Sequence, residues 1–125
     1  MIRGLFLHNA PNTPVVELAV SWEEAVARHY FVLDTGFTGD LKVTPDTAQK
    51  LGLIPFAIEE VAVADGQRID AGIAMVIAHL ENAAGPIIAL IAPGAQLAGI
   101  GLFTKFGYKA VVDCKYRTVE LHKAA

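Results

Sequence analysis

Residues 29–39 read His29-Tyr30-Phe31-Val32-Leu33-Asp34-Thr35-Gly36-Phe37-Thr38-Gly39. The opening residues are aromatic or branched, a composition that predicts a buried strand ending at Leu33. A carboxylate at the exit of such a strand costs desolvation free energy, so solubility does not explain Asp34. Gly36 and Gly39 let the backbone fold beneath that carboxylate, and the hydroxyls of Thr35 and Thr38 supply hydrogen-bond donors. Asp34 is therefore the candidate reactive group, with Thr35, Gly36 and Thr38 as its loop. An Asp-x-Gly turn after a strand is also ordinary turn chemistry, so the rest of the chain has to decide between the two.

Upstream of this loop, residues 4–8 form a short apolar run and residues 9–12 a turn cluster. Along residues 15–22, Val16, Leu18, Val20 and Trp22 alternate with polar or small residues. This is an opening hairpin, and residues 23–28 read as one helical turn before the buried strand. Downstream, residues 41–43 are a short strand. Thr44 as N-cap, Pro45 at the first helical position and Gly52 beyond the end then frame a helix of about two turns. Residues 56–64 and 67–80 are two β-rich arms around Asp65-Gly66, a dipeptide that favours hairpin turns. Residues 87–92 are a fully apolar strand, and residues 101–106 a short helix closed by Gly107. Residues 108–113 pair with 118–121 across Cys114-Lys115-Tyr116-Arg117. The expected fold is all-β: a small closed β-barrel with one or two short helices, in one domain over residues 1–125.

Composition narrows the function. The 125 residues carry a formal net charge of -3, which provides no positive field for nucleic acid or an anionic membrane. Hydrophobic residues at 54% against 18% charged exclude disorder and exceed what one small domain needs, pointing to an oligomer. The single cysteine, Cys114, excludes an internal disulfide. Residues 82–104 contain no charged side chain, but Gly85, Pro86, Pro93, Gly94, Gln96, Gly99 and Gly101 interrupt them. They read as buried strand, loop and short helix rather than a membrane span. The opening Met1-Ile2-Arg3-Gly4-Leu5 lacks a secretory apolar region, so the expected compartment is the cytoplasm.

A second segment repeats the logic of the first. Leu97-Ala98-Gly99-Ile100-Gly101-Leu102-Phe103 is again an apolar stretch, a glycine and a short helix. Together with Leu33-Asp34-Thr35-Gly36-Phe37-Thr38-Gly39 it resembles the retroviral-type aspartic proteases, in particular their small bacterial and archaeal members, over residues 15–121. The resemblance implies an acid-protease-like barrel with Asp34 catalytic. Thr35 would lock two active-site loops together, and Gly36 would lie beside the substrate backbone. The substrate-covering flap would fall on Ala64-Asp65-Gly66-Gln67, the substrate would be a peptide or protein, and no cofactor or metal is implied. Two positions depart from the family pattern. Gly101 stands where a polar residue is usual, which predicts that ionic anchoring of the active-site loop is missing. Phe37 replaces the small residue common in the viral enzymes and bears on the width of the substrate pocket.

Aspartic proteolysis requires two carboxyl groups close enough to share a proton. One Asp-Thr-Gly per chain therefore requires a homodimer, with the chain itself as partner. In the family the interface is often extended by interleaved terminal strands, here residues 1–7 and 119–121. A non-catalytic dimeric peptide-binding or scaffold module on the same fold is the alternative, and an unrelated small-molecule-binding barrel a third reading. Gly99-x-Gly101-x-x-Thr104 lacks the third glycine of a dinucleotide fingerprint and has too little chain after it. His8, His29, His79 and His122 lack paired ligand spacing and read as surface or half-buried residues. Cys114, without a nearby histidine in sequence, reads as an incidental thiol. Glu23-Glu24 and Glu59-Glu60 read as solvated faces, Met75 and Phe103 as core.

Overall fold

The structure, a computed structural model, describes residues 1–62 and 65–124. Among these residues, eleven strands and two seven-residue helices follow in the order β1 (Ile2–Arg3), β2 (Leu5–Phe6), β3 (Pro14–Trp22), β4 (Ala25–Leu33), β5 (Leu41–Val43), α1 (Pro45–Leu51), β6 (Ala57–Ala62), β7 (Arg68–Leu80), β8 (Ala83–Ile91), β9 (Leu97–Ala98), α2 (Ile100–Phe106), β10 (Tyr108–Asp113) and β11 (Thr118–Lys123). Eight strands form one sheet in the order β2-β3-β4-β9-β5-β8-β7-β6. A further pairing of β7 with β3, at Ala19–His79, Val20–Ala78 and Ser21–Ile77, closes that sheet partly on itself as a barrel. Small residues allow the closure. Ala74 and Ala78 of β7 are fully buried among Val20, Val76 and Leu80, where larger side chains would hold the strands apart.

Alternation along β3 and β4 sends Val16, Leu18, Val20, Phe31 and Leu33 into the core, where they meet Leu102 and Phe103 of α2. Met75 does not join them. It is 43% exposed, because the buried positions of β7 around it are the even-numbered Ala74, Val76 and Ala78. Helix α1 is set by its ends. The Thr44 side chain accepts from the Thr47 amide, Pro45 opens the helix, and Gly52 closes it at φ 71, in the left-handed region that favours glycine. Such an N-cap is worth about 1 kcal/mol.

Two local expectations give way to pairing. Residues 23–28 are not helical: the chain reverses at Glu23, whose φ is 53, and Ala25 begins β4 opposite Trp22. Eight cross-strand residue pairs between β3 and β4 outweigh the modest helix preference of Glu-Glu-Ala. Likewise Gly85 and Pro86 do not interrupt β8, which begins at Ala83 directly after a turn at Glu81 and Asn82. On its far side β8 meets β5 only at Ala89–Ile91, and the Ile88 amide points to that open side, donating to Asp40. Two residues earlier, the missing N–H of Pro86 falls on the same unpaired side and costs no ladder bond.

A separate three-stranded sheet runs β1-β11-β10. β11 therefore has one neighbour on each side from its own chain, with Ile2 opposite Leu121 and Val112 opposite Val119. The expected interleaving of residues 119–121 with a second copy finds no free edge there. No helix among the described residues is long and apolar enough to cross a membrane.

Candidate active site

Strand β4 carries the chain out of the core at Leu33, and Asp34 follows half-buried. The Asp34 amide donates to the Ala98 carbonyl at 3.0 Å, which places the carboxyl group at the crossing of the two glycine-containing loops. Its Oδ1 accepts from the Gly36 amide at 2.9 Å, and its carbonyl accepts from the Phe37 amide. These bonds fold the loop beneath the carboxylate, as the triplet predicts.

The second loop grips the first through backbone bonds. The amides of Gly99, Ile100 and Gly101 donate to the carbonyls of Asp40, Phe37 and Gly39 at 2.9, 2.9 and 3.0 Å. Gly99 is required by this approach, since a Cβ there would collide with the carbonyls of Gly39 and Phe37. Thr35 and Gly36 stay exposed, and among the described residues neither Thr35 nor Thr38 has a side-chain hydrogen bond. The triplet thus presents its outer side to solvent in the single chain.

Ionic anchoring of the loop is present, contrary to the expectation drawn from Gly101. Asp40, 6% exposed, accepts from the Ile88 amide at 2.9 Å and from Lys105 Nζ at 2.5 Å. The carboxylate comes from the first loop and the cation from α2, the reverse of a polar side chain reaching out from residue 101. A signal for Asp40 was available: like Asp34, it is a carboxylate at the edge of a buried strand.

Two cavities flank Phe37. One, of about 390 Å3, is walled by Thr38, Asp40, Glu59, Ile73, Ile88 and Lys105 among others. The second, of about 480 Å3, is lined by Lys42, Ala62, Ala92, Pro93, Gly94 and Leu97 among others. Val61 and Leu90 border both. The β6 arm of the β6–β7 hairpin therefore faces the loop across a groove that Phe37 divides, which answers how that residue shapes the pocket. At the hairpin tip Asp65 Oδ1 accepts from the Gln67 amide at 3.0 Å, and Gly66 has φ 85. The tip residues Asp65, Gly66 and Gln67 line neither cavity. Ala64, the remaining residue of the expected flap, lies outside the described residues.

The other candidates are scattered. Cys114 is exposed. His79 is half-buried and shares a 2.7 Å hydrogen bond with Ser21, and His122 pairs with Glu120. No three His, Cys, Asp or Glu side chains gather as a metal site among the described residues.

No family model matches the sequence, and no curated protein matches it. Structure comparison does find similarity. The crystal structure of a retropepsin-like aspartic protease from Rickettsia conorii superposes with a TM-score of 0.63, covering 99% of this chain and 90% of that one, at 17% identity. The chain has a retropepsin-like fold. At that identity the likeness concerns the fold, and the chemistry has to be argued from the residues of this chain.

Proposed function

We propose that the protein is an aspartic endopeptidase acting as a homodimer, with one Asp34 from each chain. The observation that carries this reading is the Asp34 loop, clamped from behind by the Gly99 loop while Thr35 and Gly36 face outward. In a two-fold pair the exposed sides of two such loops would meet, bringing two carboxyl groups together. One carboxylate takes a proton from water as the water attacks the scissile carbonyl. The other, protonated, donates to the carbonyl oxygen, and a proton then passes to the leaving amine. The peptide lies extended in the groove between the loop and the β6–β7 hairpin. Asp65, Gly66 and Gln67 form the tip that closes over it. Thr35 joins the two loops across the axis.

The test combines mass and inhibition. Light scattering should give twice 13.3 kDa for the parent protein and a shift toward one chain for Thr35→Val. A peptide analogue carrying a hydroxyl-bearing tetrahedral carbon at the scissile position should bind far more tightly than the peptide itself, because it mimics the transition state. A dimer that binds both equally would be a peptide-binding module without catalysis.

A further inference from the structure

The two halves of the groove differ in charge. On one side of Phe37 the cavity holds Asp40, Lys105 and Glu59. Asp40 and Lys105 neutralise each other, and Glu59 has no ion-pair partner among the described residues, its neighbour Glu60 having taken Arg68. On the other side Lys42 is, among the described residues, the one charged member of an otherwise apolar lining. Strand β5 dictates this placement, since Leu41 and Val43 point into the core and Lys42 outward. The ammonium lies against the turn at Gly94, where a Cβ would stand 3.2 Å from Nζ. Lys42 is half-buried and has no carboxylate within ion-pair distance among the described residues. A half-buried cation in an apolar wall is incompletely solvated, and an anion on an apolar stem complements it.

We propose that Lys42 is a specificity-determining residue that selects a glutamate side chain of the bound peptide, its methylenes lying against Ala92 and Leu97 and its carboxylate on Nζ. The proposal rests on the peptide-groove reading above and adds a direction to it, since Glu59 repels an acidic side chain from the other half.

The experiment uses the full-length Asp34→Asn protein, so that bound peptides stay intact, and fluorescein-labelled octapeptides with amidated C-termini. One Gln at a time is exchanged for Glu, and binding is read by anisotropy at low salt. At one position Glu should bind about tenfold more tightly than Gln, the scale of one charge-assisted hydrogen bond at a partly exposed site. The ratio should fall to about one in Lys42→Met and persist in Lys42→Arg, as expected for recognition of charge. No Glu preference at any position, a preference unchanged in Lys42→Met, or no binding of any peptide would overturn the proposal. A preference for a free C-terminus over both the amide and an internal Glu would also overturn it, transferring Lys42 to the chain end. Incubating the same peptides with the protein retaining Asp34 separates the two readings. Lys42-dependent binding without cleavage would remove the peptidase while leaving the glutamate site standing, and cleavage without the preference would do the reverse.

Discussion

The Asp40 carboxylate occupies the space that a side chain on Gly101 would need. A Cβ at residue 101 would collide with Asp40 Oδ1 and stand 3.0 Å from the carbonyl of Gly39. The absence of a polar side chain at 101 and the presence of a buried acid at 40 are therefore one solution to holding the two loops together. Backbone amides of each loop donate to carbonyls of the other, while the Asp40 carboxylate is held by the Ile88 amide and by Lys105.

Gly101→Ala should consequently destabilise the protein by about 1–3 kcal/mol, the usual cost of inserting a methyl into a packed site. Removing the obstacle should relieve part of that cost. In a double-mutant cycle with Asp40→Gly the penalty at 101 should shrink, and thermal melts of the four proteins measure it. Strict additivity would mean that residues 40 and 101 do not compete for space.

Asp34→Asn should abolish peptide hydrolysis while leaving the melting temperature and dimer mass unchanged, because the amide keeps the shape of the carboxylate but cannot cycle a proton. Circular dichroism and light scattering report the unchanged fold, and a fluorogenic peptide reports the loss. Parent-level hydrolysis in the Asp34→Asn protein would place the chemistry on another residue.

What the sequence made legible was mostly local. Thr44, Pro45 and Gly52 carry their capping geometry within one helix, and the Asp34 carboxylate bonds to an amide two residues away. The features it concealed depend on partners distant in the chain. Asp40 and Lys105 are 65 positions apart, and nothing near either one forecasts the pair. Pro86 signals a break unless it is known that β8 has no neighbour there, and Met75 reads as core until the register of β7 shows which face it occupies. Lys42 gave no motif at all, since its significance comes from the apolar cavity around it.

Tyr108 gives a pH test of the fold that is independent of catalysis. Burial, aided by its 2.5 Å hydrogen bond to Glu81, raises its pKa from 10.0 to about 12. Below pH 10 the phenol is neutral in both folded and unfolded chains, and its contribution is fully present. Above that, the unfolded chain releases the proton while the folded one retains it, so stability is lost as pH rises from about 10 through about 12. Melting temperatures recorded from pH 8 to 12 should fall more steeply for the parent than for Tyr108→Phe. Parallel curves would show that this phenol does not contribute to the alkaline limit.

Gly66 tests whether the β6–β7 hairpin acts as a cover or merely as a turn. Its φ of 85 lies where a β-branched residue is strained, yet a Cβ at that position would meet nothing within 4 Å. Gly66→Val therefore brings a backbone penalty without a packing clash, and the exposed tip can relieve it by changing its own conformation. The barrel should hardly register the change, because the pairs from Ala57–Ile73 to Ala62–Arg68 lie outside the substituted turn. If the tip must adopt one conformation to close over a peptide, the variant should lose turnover or peptide affinity while dimer mass and melting temperature stay close to those of the parent. Anisotropy with a labelled peptide, run beside a thermal melt, separates the two effects. A large fall in melting temperature with peptide affinity intact would make Asp65-Gly66 a structural turn. The cover would then have to come from the β6 arm, where Glu59 and Val61 already face the loop across the groove.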